Sequence, residues 1–268
     1  MRRRVFPVVL ALAAAAVLGA VLLPLVGLFT RTSPGEIVHQ LGTRTARDAL
    51  LVSLRTNLIA EALIVAFGTP AAYFLATRRF PGRALVLTVV ELPLVLPPAV
   101  GGIALLAAFG RFGLLHGAGG LPFTQAGVVA AICFVAAPFY VRPAVAAFES
   151  VDPGLVDAAR TLGAGQGRVF VRVALPLAAG GLGAAAGLAF ARGLGEFGAT
   201  IMFAGSLQGV TQTLPLAIYA AFSVNLDTAV ALGVLLVVVS AALLLAIKLV
   251  PSWTRFGLTF PSRSAASA

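Results

Sequence analysis

VDPGLVDAARTLGAGQGRVFVRVALP, residues 151–176, decides how the rest of the chain is read. Asp152, Asp157, Arg160, Arg168 and Arg172 fall within it, and long apolar runs flank it on both sides. A segment with this charge cannot be buried in hydrocarbon, so it marks a place where the chain leaves the bilayer. Asp152-Pro153 reads as a helix start, because Asp accepts hydrogen bonds from free first-turn N–H groups and Pro is tolerated at the first helical position. Gly163 reads as a stop. The helix predicted between them runs about Pro153–Leu162. It sets Leu155, Ala158, Ala159 and Leu162 on one side, with Asp157 and Arg160 beside the stripe. Two readings follow: a solvated loop helix, or a helix that seats in a partner's groove. A second basic helix, Arg168–Ala174, leads to Leu175-Pro176 at the membrane edge.

Composition sets the surroundings. Of 268 residues, 60% are hydrophobic and 10% charged, far from the roughly one-quarter charge of soluble domains. Several runs reach the ~20 apolar residues that cross a bilayer as a helix. The fold class is therefore an all-α polytopic membrane protein, one membrane domain over residues 1–268, with core spans at about 51–250 and a polar loop at 150–176. The net charge of +10 is explained by arginine in cytoplasmic loops and calls for no nucleic acid. The lone Cys133 excludes an intrachain disulfide.

Six transmembrane helices are predicted. The first is an uncleaved Val5–Thr30 after Arg2, Arg3 and Arg4, too long for an ordinary signal-peptide core. Residues 31–50 form an external segment with a short helix. The remaining spans are Leu51–Thr77, Ala84–Phe109, Gln125–Phe148, Leu177–Phe203 and Leu226–Val250. With the N-terminus inside, thirteen of the nineteen Lys and Arg, Arg142 among them, fall on the cytoplasmic side and five outside. That asymmetry places both termini in the cytoplasm.

The residues carry a resemblance. Asp157-Ala158-Ala159, then Gly163, then Val173 and Leu175-Pro176 are similar in type and spacing to the EAA loop of ABC-importer permeases, with Asp for Glu and Val for Ile. ELPLVLPP (91–98) followed by AAFGRFG (107–113), ARGLGEFGAT (191–200) and TQTLPLAI (211–218) resemble the molybdate/tungstate permease branch. Sulfate and thiosulfate permeases are its nearest rivals. The resemblance implies a type I ABC-importer permease fold and a coupling helix at Pro153–Gly163, with Asp157, Ala158, Ala159, Gly163, Leu175 and Pro176 at the ATPase contact. It implies a homodimer in the membrane lipid of a bacterial or archaeal plasma membrane. Its partners are two ABC ATPase subunits, which hold the ATP and Mg, and a periplasmic or extracellular oxyanion-binding protein.

Within the spans, Glu91, Arg192 and Glu196 must face protein or water. Arg192 and Glu196, at i and i+4, can meet on one helix face, as a structural pair or as pathway lining. Bare carboxylates repel an oxyanion, so Glu91 and Glu196 should be neutralised by Arg partners, helix ends or protons. Thr200, Thr211, Gln212 and Thr213 donate hydrogen bonds without adding negative charge and are the predicted outer-gate contacts. Gly180, Gly181, Gly183 and Gly187 form a small-residue face for close helix packing, within the subunit or across a dimer. Pro93, Pro97, Pro98 and Gly101-Gly102 suggest a pathway-lining kink in the third span. No GxxxxGK[ST] sequence is present, so ATP binding through a P-loop is excluded and the chain is not an enzyme. His39 and His116 lack metal-ligand spacing. A rival of another class is an ion-gradient-driven transporter with Glu91 or Glu196 as its proton site.

Overall fold

In lipid a backbone can satisfy its N–H and C=O groups only internally, and a single apolar segment does so as a helix. The computed structural model describes residues 2–115 and 120–254, and every regular element there is helical. His116 and the tail beyond residue 254 lie outside the described residues.

The core is three rods: α3 (Arg44–Thr77) and α6 (Gln125–Glu149), whose C-terminal ends lie together, and α9 (Leu175–Leu194), which starts from that same end. Before them come α1 (Arg2–Arg31) and α2 (Pro34–Leu41). Between α3 and α6 lie α4 (Arg83–Val95) and α5 (Pro98–Phe109). α7 (Pro153–Thr161) and α8 (Gln166–Val169) precede α9. α10 (Gly198–Ala204), α11 (Leu214–Phe222) and α12 (Leu226–Thr254) complete the chain. Among the described residues, five helices are long and apolar enough to cross a membrane, and six spans result when α4 and α5 count as one.

Small side chains explain the packing. Ala60, Ala136, Ala144, Ala178, Ala185 and Ala189 are all buried where α3, α6 and α9 meet, and small contacts let helix axes approach closely in lipid. Larger residues fill the remaining space, with Tyr140 and Phe148 buried in the same cluster. The stripe that α9 buries within the subunit is Ala178, Leu182, Ala185 and Ala189. A Cβ on Gly181 would meet Ala147, and Gly187 is buried, whereas Gly180 and Gly183 face open space.

Three features differ from the sequence expectations. First, the third span is not a kinked rod. α4 and α5 are turned 117° from one another. The consecutive Pro97-Pro98 explains this: neither can donate an N–H, and Pro98 pushes its predecessor out of helical geometry. Second, the fifth span does not run from Leu177 to Phe203. Its rod begins earlier, at Gln166, and ends at Leu194. A π turn at Phe170–Ala174 carries the rod through Pro176, which cannot donate to a preceding carbonyl. At the far end, Gly195 and Phe197 leave helical geometry and α10 starts anew. Third, Arg142, counted with the cytoplasmic side, is not at the end of its span. It lies seven residues inside the Glu149 end of α6, about 10 Å along the axis.

Candidate functional site

The 151–176 segment caps the end of the bundle where α3 finishes, α4 begins and α6 finishes. α7 is fixed at both termini by its own sequence. Asp152 Oδ1 accepts from the Gly154 N–H at 2.8 Å, and Pro153 occupies the first helical position. At the other end Gly163 has φ +82°. There the Gly163 N–H donates to Arg160 O at 2.9 Å and the Ala164 N–H donates to Ala159 O at 3.0 Å. That pair of bonds is the Schellman arrangement, which requires the left-handed residue glycine supplies without strain.

No residue of α7 is buried. Leu155 and Leu162 of the apolar stripe are 49% and 88% exposed, while Val156 and Ala159 turn partly toward the bundle. A cleft of about 530 Å³ separates α7 from the rods, lined among others by Tyr73, Arg79, Arg83, Phe148, Val156 and Asp157. Asp157 meets Arg160 at 3.4 Å in an exposed pair that contributes little in water. Arg83 ties three helix ends together: it donates to Leu75 O at 2.7 Å and pairs with Glu149 at 2.5 Å. Arg78 reaches Gln166 at 3.3 Å, anchoring the loop to the basic turn. Beneath the cleft Tyr73, Phe148 and Phe170 stack, with centroids 4.7 to 6.2 Å apart. Leu175 and Pro176 are not beside α7's exposed stripe; they sit in the α9 rod just beyond the π turn.

The second group lies deep in the bundle, where the two broken spans touch. A Cβ on Gly198 would lie 2.8 Å from Pro98 Cβ, and one on Gly102 would lie 2.6 Å from Ala199 O. Only glycine at both positions allows this approach. Arg192 at the end of α9 and Glu196 in the break meet at 2.9 Å (Nη2–Oε2). They do so across a helix end rather than along one helix face. Glu196 is fully buried and its Oε1 also accepts from the Ala199 N–H at 2.7 Å. Glu91 meets Arg142 at 2.8 Å (Oε1–Nε). In both pairs the atoms are close enough for charge attraction but the angle is not that of a hydrogen bond, since Glu196 Oε2 and Glu91 Oε1 find no hydrogen-bonding partner among the described residues.

The four predicted gate residues divide. Thr200 is on α10, buried, and its Oγ1 has no partner among the described residues. Thr211, Gln212 and Thr213 precede α11 and are also buried. Thr211 Oγ1 accepts from the Leu207 N–H, and Gln212 donates to Ser206. Phe197 and Tyr219, with centroids 5.1 Å apart, connect the α9–α10 break to α11.

Sequence reasoning passed over the polar residues that join these parts. Ser53 Oγ accepts the Leu214 N–H at 2.7 Å and so caps α11 from α3. Asn57 donates to Phe190 O at 3.0 Å, near the end of α9. Both recur with Ala46, Ala49, Thr56 and Ala60 on the buried face of α3. That period was the available signal. Glu61, also on α3, has a buried Oε1 without a partner among the described residues.

A polytopic helical bundle with broken spans at its centre, compensated charges at membrane depth and an exposed capped helix at one end defines a class, that of membrane transport subunits. The comparisons narrow it. The chain belongs to the family of binding-protein-dependent transport system inner membrane components, whose model matches residues 68–255; it is a non-catalytic, multi-pass transmembrane component. It is 45% identical over 234 residues to the molybdenum transport system permease protein ModB of Mycobacterium tuberculosis, covering 85% of this chain and 88% of that one. It is 39% identical to a probable molybdenum ABC transporter permease of Haloferax volcanii, over 84% and 82% of the two chains. Among solved structures, a bacterial alginate importer superposes with a TM-score of 0.73 at 16% identity, covering 93% of this chain and 96% of the other. The MetNI methionine ABC transporter, in inward-facing conformations, gives 0.64 at 21%, covering 78% and 95%. These two establish the shared fold.

Proposed function

We infer that the chain is the transmembrane permease of an ATP-driven importer of molybdate, with tungstate, of the same shape and charge, as a second cargo. The carrying observation is α7: a helix capped at both ends, none of whose residues is buried, in a chain 45% identical to a molybdenum permease. A capped but unburied helix is stabilised locally while its apolar stripe waits for a surface. An ABC ATPase groove is such a surface, and Asp157, Ala158, Ala159 and Gly163 are the residues that would meet it.

The working assembly is a homodimer with two ATPase subunits, which hold ATP and Mg, and an external oxyanion-binding protein that supplies most selectivity. Both termini face the cytoplasm, on the side of α7. ATP draws the ATPases together, α7 moves with them, and Arg83 and the Tyr73–Phe148–Phe170 stack pass that motion to α3, α4, α6 and α9. The centre then opens outward, and hydrolysis resets it. Glu91, Arg192 and Glu196 border the passage, and Thr200, Thr211 and Thr213 border its outer gate.

Uptake in a permease-deleted host, with molybdate, tungstate and sulfate competing, tests the reading. Molybdate uptake that tungstate suppresses and sulfate does not is the expected result. Uptake that persists with the ATPase inactivated would overturn it.

A further inference from the structure

Two arginines, Arg142 and Arg192, lie at membrane depth beside α6. Arg142 is on α6 itself. Arg192, from α9, places its guanidinium carbon 5.9 Å from the centre of the Phe139 ring, one turn away on α6. Phe139 and Arg142 are three residues apart on α6. Arg192 lies at its level, near the middle of the 25-residue rod. Arg142 is about 5 Å closer to the α7 end.

Each arginine is neutralised by one carboxylate: Glu196 for Arg192 and Glu91 for Arg142. The pairs are unequal in access. Glu196 is sealed, at 0% side-chain exposure, while its Arg192 is 25% exposed; Arg142 is 56% exposed and Glu91 33%. A guanidinium this open cannot face lipid at that depth without a large cost, so its surface borders water or protein. Neither pair has hydrogen-bond geometry between its nearest atoms, so donor capacity remains on both guanidiniums. Guanidinium is the side chain whose planar fork matches a tetrahedral oxyanion.

Resting on the reading of the chain as an oxyanion permease, we propose that Arg192 and Arg142 form a two-rung ladder that passes the dianionic cargo along α6 toward the α7 end. Glu196 and Glu91 act as internal counter-anions. Each carboxylate holds its arginine between passages, so the empty path carries no unpaired charge, and each is displaced from its arginine when the cargo arrives. The cargo is held twice and weakly, because at each rung it competes with a carboxylate already in place. Weak, successive sites let an ion both enter and leave.

The test uses the full transporter with its ATPase and binding protein, reconstituted in vesicles and supplied with molybdate and ATP. Arg142→Gln and Arg192→Gln are each expected to lower uptake about tenfold or more, the scale of one lost charge-assisted contact. The deciding variant is the neutral pair Glu91→Gln with Arg142→Gln. A purely structural ion pair replaced by two neutral partners leaves no uncompensated charge and recovers its stability. The double variant should therefore regain the wild-type melting temperature yet remain as slow in uptake as Arg142→Gln alone. Recovery of uptake together with stability would overturn the ladder. Wild-type vesicles that fail to take up molybdate would instead overturn the functional reading, and the ladder with it.

Discussion

Gly163 offers the most direct test of α7. Its φ of +82° lies in the left-handed region, and a Cβ there would meet no atom within 4 Å. A substitution is therefore felt through backbone strain and not through crowding. An ordinary L-residue in this region costs about 1–2 kcal/mol, a β-branched one lies at or above the upper end, and Asn costs distinctly less. α7 has nine residues and none buried, and so short a helix is marginal without its cap. The strain should therefore melt α7 in the free permease, with little effect on the rods, and be recovered as weaker docking. A cost of 1–2 kcal/mol corresponds to a loss of affinity for the ATPase of about 5- to 30-fold. Gly163→Val should reach the upper figure, Gly163→Ala the lower, and Gly163→Asn should remain close to wild type. Fluorescence anisotropy of a labelled ATPase subunit titrated with detergent-solubilised permease measures this order, and the permease's own melting temperature serves as the control. Equal docking by the Val and Asn variants would refute the reasoning. So would a Val variant whose melting temperature falls in proportion to its docking, because the strain would then act on the whole fold.

Three further outcomes follow from the centre of the bundle. Gly193→Ala would place a Cβ 2.3 Å from Asn57 Oδ1 and 2.8 Å from Ile132 Cγ2, so it should destabilise by about 1–3 kcal/mol through overpacking, seen as a lower melting temperature. Ser53→Ala leaves the Leu214 N–H without its acceptor and should cost about 1–2 kcal/mol, with faster hydrogen exchange confined to the first turn of α11. Tyr140→Phe breaks the bond to Thr69, but Thr69 still donates to Val65 O, so the loss should remain at about 1 kcal/mol or less in a melting experiment.

The spans and the island were legible because each rests on a local signal. Twenty apolar residues, an Asp-Pro start and a glycine stop are read within a few positions, and α7 begins at the predicted Pro153. The pairing of Arg192 with Glu196 was also within reach, four residues apart. Glu91 with Arg142 was not, because fifty-one positions separate them and only the packing of α4 on α6 brings them together. Ser53 with Leu214 and Asn57 with Phe190 are non-local for the same reason. Hydropathy also smoothed over both breaks, since α5 and α10 are as apolar as the rods they depart from.

The two breaks are better understood as one feature. A proline pair can end a helix in lipid only if the freed carbonyls and the exposed turn are covered. Here the cover for Pro98 is Gly198, and the cover for Ala199 is Gly102. Each broken span supplies the small residue that the other requires. Moving one break without the other would open a gap at membrane depth or drive backbone into backbone, so α5 and α10 must shift as a unit. Leu105 of α5 and Phe203 of α10 are buried in one cluster with Ala131 and Val135 of α6, which gives that unit a shared apolar contact on the same rod that carries Arg142. A motion begun at α7 and passed up α6 would therefore reach the ion pairs and the joined breaks together.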